Sequence, residues 1–152
     1  MTSEVIDKIT KILGKGTHQL HEPLFHEKER KYVKKTIDDN VVSSIGSFVN
    51  KFENKLKNYT KTKYVISITN GTSALYLSLL ACGVKRDDEV LVPTITFVAT
   101  ANAVAHLGAI PHFIDSEINT LGVDVEKLEK YLKKNSIKKG KFLFNKKTKR
   151  RI

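Results

Sequence analysis

The chain has 152 residues, 40% of them hydrophobic, enough for one domain with a core, and no apolar run approaches the roughly 20 residues that cross a bilayer. Residues 1–16 are amphipathic but lack the apolar stretch of a secretory signal, and a single cysteine excludes an internal disulfide, so a reducing, cytoplasmic setting is expected. The net charge of +11 invites a nucleic-acid reading, yet residues 127–152 hold 12 of the 27 Lys and Arg against one acid, Glu129, so the whole excess lies in that segment.

In chain order, Val5, Ile6, Ile9, Ile12 and Leu13 recur at helical spacing over 3–13. Residues 27–40 predict a charged surface helix with Tyr32, Val33 and Ile37 inward. Residues 46–59 predict another, with Ser47 as N-cap and Phe48, Val49, Phe52, Leu56 and Tyr59 on one face. From residue 64 the pattern changes to alternating strands and helices. "YVISIT" reads as a strand, followed by a helix over 73–82 that Gly83 ends. "EVLVP" (89–93) is followed by a helix over 97–107 that Gly108 ends. "PHFID" (111–115) precedes a helix over 124–134 with Asp124 as N-cap. The alternation predicts βαβ units, with 64–68, 89–93 and 111–115 in one largely parallel sheet. Residues 135–152 read as a solvated basic tail. A basic tail can bind polyanions by counterion release, but no aromatic-basic platform or helix-turn-helix pattern makes nucleic acid the expected partner.

Ligands of parallel sheets bind at the carboxyl ends of strands, where Gly71-Thr72-Ser73 and the segment from Pro93 to Phe97 are expected. Thr72 and Ser73 can cap a helix, or their amides and hydroxyls can hold a phosphate at its N-terminus. Phe97 can pack, or can stack on a flat heterocycle. Neither G-x-G-x-x-G nor G-K-[ST] is present. His18, His21 and His26 lack the partners of a metal site, and His106 and His112 read as structural or exposed. Asp87, Asp88 and Glu89 read as a solvated turn, Asp115 as facing the site or capping a turn, and Cys82 as a core residue.

Over about residues 22–132, N-G-T-S-A-L, D-E-V-L-V-P-T-x-T-F-x-A-T-A-N-A and G-A-I-P-H-F-I-D occur in order, and the chain resembles the amino-terminal part of the DegT/DnrJ/EryC1/StrS aminotransferases. The resemblance implies an α/β fold. It would be part of the large domain of fold-type-I transferases dependent on pyridoxal 5'-phosphate (PLP), a mostly parallel sheet flanked by helices and preceded by N-terminal helices. The implied divisions are an N-terminal helical segment (1–40), a partial PLP-binding domain (41–134) and a basic tail (135–152). The implied activity is amination of nucleotide-linked keto-sugars, of the kind made for bacterial surface glycans or nonulosonic acids. Glutamate is the implied donor, and a homodimer with shared active sites the implied assembly. By the same resemblance Gly71, Thr72 and Ser73 hold the PLP phosphate and Phe97 stacks on its ring, while Ser43, Ser44 and Gly46 lie near the sugar.

The resemblance also sets what is expected to be missing. The Schiff-base lysine and the acid opposite the ring nitrogen lie beyond the matched region, so no catalytic residue is assigned and an inactive N-terminal fragment is expected. A non-catalytic remnant or assembly half-domain is the alternative, with a basic nucleic-acid binder behind it. Thr60 and Asp87 stand where the family usually has Gly.

Overall fold

The computed structural model describes residues 2–19 and 21–152, and of Thr2 the backbone alone. Two compact units, Met1–Val65 and Ile66–Ile152, meet at a boundary later than residue 40, and residues 135–152 belong to the second unit.

The first unit carries α1 (Thr2–Leu13), α2 (Glu27–Asp38) and α3 (Ser47–Thr60). The start of α2 is fixed by Glu29, whose carboxylate accepts from the His26 backbone N–H at 2.7 Å. Its exposed face carries Lys34–Asp38 and Lys35–Asp39 pairs one turn apart. The helix stops two residues earlier than expected, because Asn40 turns to φ 55°. Gly46, not Ser47, is the N-cap of α3. A Cβ on Gly46 would meet Val41 Cγ1 at 2.7 Å, so the close approach of these two residues demands glycine there. The left-handed residue after α3 is Lys61 (φ 55°), one position beyond Thr60, which itself stays in the last helical turn. Tyr32 and Phe48 join α2 to α3, their ring centroids 5.3 Å apart. The apolar stripe of α1 is exposed at Val5, Ile6, Ile9, Ile12 and Leu13, and on α2 Tyr32, Val33 and Ile37, expected inward, are exposed as well.

The second unit contains α4 (Gly71–Ala81), β1 (Glu89–Pro93), α5 (Val98–His106), β2 (Ile110–Ile114), α6 (Val125–Asn135), β3 (Ser136–Lys139) and β4 (Phe142–Asn145). β1 and β2 pair in parallel from Glu89↔Ile110 to Pro93↔Ile114, with α5 as the crossover. Their core is Val92, Val104 and Ala109, closed by Leu79, Val84, Val90 and Leu107. Apolar β-branched residues on β1 meet α5 there, which removes about 1.5–3 kcal/mol worth of valine surface from water at each buried valine.

Three expectations are corrected. Residues 64–68 form no strand: the sheets among the described residues are β1–β2 and β3–β4, and Tyr64 and Ile66 are exposed. A strand needs a neighbour to satisfy its backbone, however apolar its side chains are. Cys82 is exposed, not core, because it lies at the C-cap of α4, past the half-buried Leu79 that packs against the core. The basic tail is an ordered antiparallel hairpin, β3 with β4, turned by Gly140 at φ 60°. Its lysines are exposed, while Asn145 is buried and Leu143 and Phe144 are half-buried.

Candidate functional site

The N-terminus of α4 is built by Asn70. Its backbone is extended, and its side-chain oxygen accepts from Ser73 N–H at 2.8 Å. The capping role that the sequence offered to Thr72 or Ser73 thus falls to Asn70. Thr72 and Ser73 keep their hydroxyls for another use in the first turn, where both are half-buried. Beside Gly71 a Cβ would meet nothing within 4 Å, so the helix start opens onto free space. Asn70, Thr72, Ser73, Tyr76 and His106 line an open groove of about 510 Å³ there. The positive end of the helix dipole, unused hydroxyls and room beside a glycine together fit a phosphate group.

The structure brings Thr72 and Ser73 together with Tyr76 and His106, which the sequence did not point to. Phe97 does not line that groove. It is the N-cap of α5, nine residues before His106, about 13 Å of helical rise. Phe97 is 77% exposed, so it is not a packing residue in this structure. The expectation that both loops share one strand edge is not met, since residues 64–68, which would have tied Gly71 to that edge, are outside the ladder. Ser43 and Ser44 are exposed in the loop before α3, in the first unit.

A second, smaller cavity of about 220 Å³ lies between β2 and α6, lined by residues that include His112, Asp115, Lys127 and Tyr131. Lys127 reaches Asp115 at 3.3 Å and Asp124 at 3.5 Å, and Asp115 holds the ammonium above its usual range. Asp124 caps α6 as expected, accepting from Lys127 N–H at 2.9 Å.

The polar centre that sequence reasoning missed is at the amino end of β1. Glu89 is 5% exposed, not a solvated turn residue. It accepts from Asn145 Nδ2 at 2.8 Å and from the Thr148 hydroxyl, and lies 2.7 Å from His112 Nδ1. His112 Nε2 in turn meets the Tyr131 hydroxyl at 3.0 Å. Burial raises the Glu89 pKa, but the hydrogen bonds from Thr148, Asn145 and His112 outweigh it and hold the carboxyl below its usual range. Asp88 behaves alike: burial raises its pKa, while Arg151 and the Lys85 backbone N–H bring it lower. Among the described residues no group of three or more His, Cys, Asp and Glu is placed to hold a metal.

Residues 23–142 match the DegT/DnrJ/EryC1/StrS aminotransferase family. The GDP-perosamine synthase of Caulobacter vibrioides is 40% identical over 107 residues, which cover 70% of this chain and 29% of that protein. The GDP-perosamine synthase of Vibrio cholerae is 38% identical over 117 residues, 77% of this chain and 32% of that protein. Among solved structures, the PLP form of Spr1654 from Streptococcus pneumoniae, described as a sugar aminotransferase, superposes with a TM-score of 0.63 at 29% identity. It covers 76% of this chain and 29% of that one. The chain therefore spans about a third of the length of the curated relatives it matches, and its α/β architecture is a part of their fold.

Proposed function

Because this chain belongs to the DegT/DnrJ/EryC1/StrS aminotransferase family, we propose that it supplies the amino-terminal, phosphate-holding part of a PLP-dependent enzyme that aminates nucleotide-linked keto-sugars. The observation that carries the proposal is the start of α4, where free hydroxyls and open space at a helix N-terminus stand in the family-matched stretch. Gly71 lets the phosphate approach, Thr72 donates its hydroxyl and backbone N–H and Ser73 its hydroxyl to it, and the dipole of α4 favours its charge. The exposed ring of Phe97 offers a stacking face for the pyridine. Ser43, Ser44 and Gly46 are assigned to the sugar side. When bound, PLP supplies the electron-withdrawing ring that amino transfer requires.

Glutamate is the proposed amino donor, and a bacterial surface-glycan or nonulosonic-acid amino sugar the proposed product class. No lysine among residues 1–152 is assigned the cofactor-anchoring role, so the chain by itself is proposed to bind the cofactor without turning over. The exposed stripe of α1, from Val5 to Leu13, supports an assembled state, for which a homodimer is proposed. No helix among the described residues is long and apolar enough to cross a membrane, and a cytoplasmic setting is proposed.

The test uses ligands without an aldehyde, because exposed lysines react with any aldehyde. Pyridoxine 5'-phosphate should bind the chain and be displaced by inorganic phosphate, whereas pyridoxine should bind at least ~tenfold more weakly, the equivalent of about 1.4 kcal/mol. Equal affinity for the two would overturn the phosphate assignment.

A further inference from the structure

Residues 142–152 return to the amino end of β1 and grip it through backbone and side chains together. The Arg151 carbonyl accepts from Glu89 N–H at 2.7 Å, and Arg151 also bridges to Phe144 of β4. The next residue, Ile152, donates its N–H to the Leu143 carbonyl at 2.8 Å, so this one point of the chain joins the two sheets. The Arg151 guanidinium forks onto Asp88, with Nε 2.9 Å from Oδ1 and Nη2 on Oδ2, and Nη2 also reaches the Gly83 carbonyl at 2.6 Å. Glu89, one residue on, takes Asn145 and Thr148 from the same returning segment. Two consecutive carboxylates thus hold partners more than fifty residues away in sequence.

We propose that residues 142–152 form a clip on the amino end of β1, closed by ionised Asp88 and Glu89, which opens as a unit when those carboxyls are neutralised and uncovers Val84 and Val90, which Phe142 and Ile152 of the clip face across a crevice. The chemistry is that of an acceptor. An ionised carboxylate offers both oxygens to donors, whereas a protonated one gives up part of that capacity and leaves the Arg151 cation, with its side chain only 21% exposed, without a counter-charge. Charged and titratable groups face the pair from each neighbouring element. Arg151 and Lys85 face Asp88, His112 of β2 faces Glu89 with Tyr131 of α6 behind it, and Cys82 lines the same crevice. The hydrogen bonds that hold both carboxyls below their usual range supply the coupling: opening the clip releases those bonds, so acid favours the open state.

The test is amide hydrogen exchange of the full 152-residue chain, read by NMR as protection factors from neutral pH into acid. The amides of Glu89, Asn145 and Ile152 should lose protection together, by ~tenfold or more, at a pH where Val104 and Leu107 in the core keep theirs. Asp88→Asn should reproduce part of that loss at neutral pH and flatten the profile. Simultaneous loss at clip and core amides would overturn the proposal, as would an Asp88→Asn chain with unchanged protection. Should Asp88→Asn fail to fold, the wild-type profile decides alone, because it distinguishes clip opening from global unfolding.

Discussion

Asp87 and Gly108 both adopt left-handed backbone, at φ 66° and 70°, and the Asp87 N–H donates to the Gly108 carbonyl at 3.0 Å. The pair sits just ahead of β1 and β2, so it sets where the parallel ladder begins. At Asp87 a side chain occupies a conformation that glycine adopts freely. Asp87→Gly should therefore raise stability by about 0.5–1 kcal/mol, measured by urea denaturation. Gly108→Ala should lower it by about 1–2 kcal/mol, since a Cβ there is strained by φ and also meets Arg86 Cγ at 3.1 Å. A destabilised Asp87→Gly chain would refute the strain argument.

Asn70 and Ser73 divide the work at the start of α4. Asn70→Ala removes the cap that satisfies Ser73 N–H and should cost about 1 kcal/mol of stability. Ser73→Ala leaves that cap intact and should change stability by less than ~0.5 kcal/mol. It should nonetheless weaken binding of the phosphorylated cofactor by about 1–3 kcal/mol, the usual loss for a hydrogen bond to a charged group. Calorimetry on the two variants separates the roles. Equal cofactor affinity for wild type and Ser73→Ala would remove Ser73 from the site.

The contrast between Ser73 and Glu89 shows what the sequence could and could not reveal. Helices and the β1–α5–β2 crossover were legible because their signals are local: 3.6-residue spacing, an Asp124 cap, glycines at Gly83 and Gly108. The start of α4 was legible as a small-residue junction, though the choice of Asn70 as cap rests on backbone geometry that a string of residues does not carry. Glu89 was read as solvated because it follows two acids. Its burial is created by Asn145 and Thr148, 56 and 59 residues later, and no local pattern announces such a partner. The same holds for Arg151, whose charge looked like one of many in a basic run until the hairpin placed it on Asp88. Residues 64–68 failed in the opposite sense: their local pattern is that of a strand, but pairing is a property of two segments.

Val92 is 1% exposed at the centre of the β1–α5 contact, against Val104 and Ala109. Val92→Ala should cost about 2–3 kcal/mol, its buried transfer energy plus that of the cavity left behind. Ile66→Ala, on an exposed side chain outside any ladder, should stay within ~0.5 kcal/mol. Comparable losses from the two substitutions, in chemical denaturation of the same chain, would mean that the core lies elsewhere.

The carboxyls at the start of β1 predict the acid limb of the stability curve. Both Asp88 and Glu89 are held below the usual carboxylate range in the folded chain. A depressed folded pKa means that the unfolded chain binds protons first as pH falls. The stabilisation is fully present above the unfolded values, near 4, and is lost as pH drops toward the lower folded values. Urea midpoints should therefore be level with respect to these two groups above about pH 5 and fall below it. Glu89→Gln should flatten part of that acid limb. It should also lower stability at neutral pH by about 1–3 kcal/mol, because the amide nitrogen would replace an acceptor with a donor facing Asn145 or Thr148. An acid limb of unchanged slope in Glu89→Gln would show that the buried carboxyl does not control it, and would assign the limb to other groups.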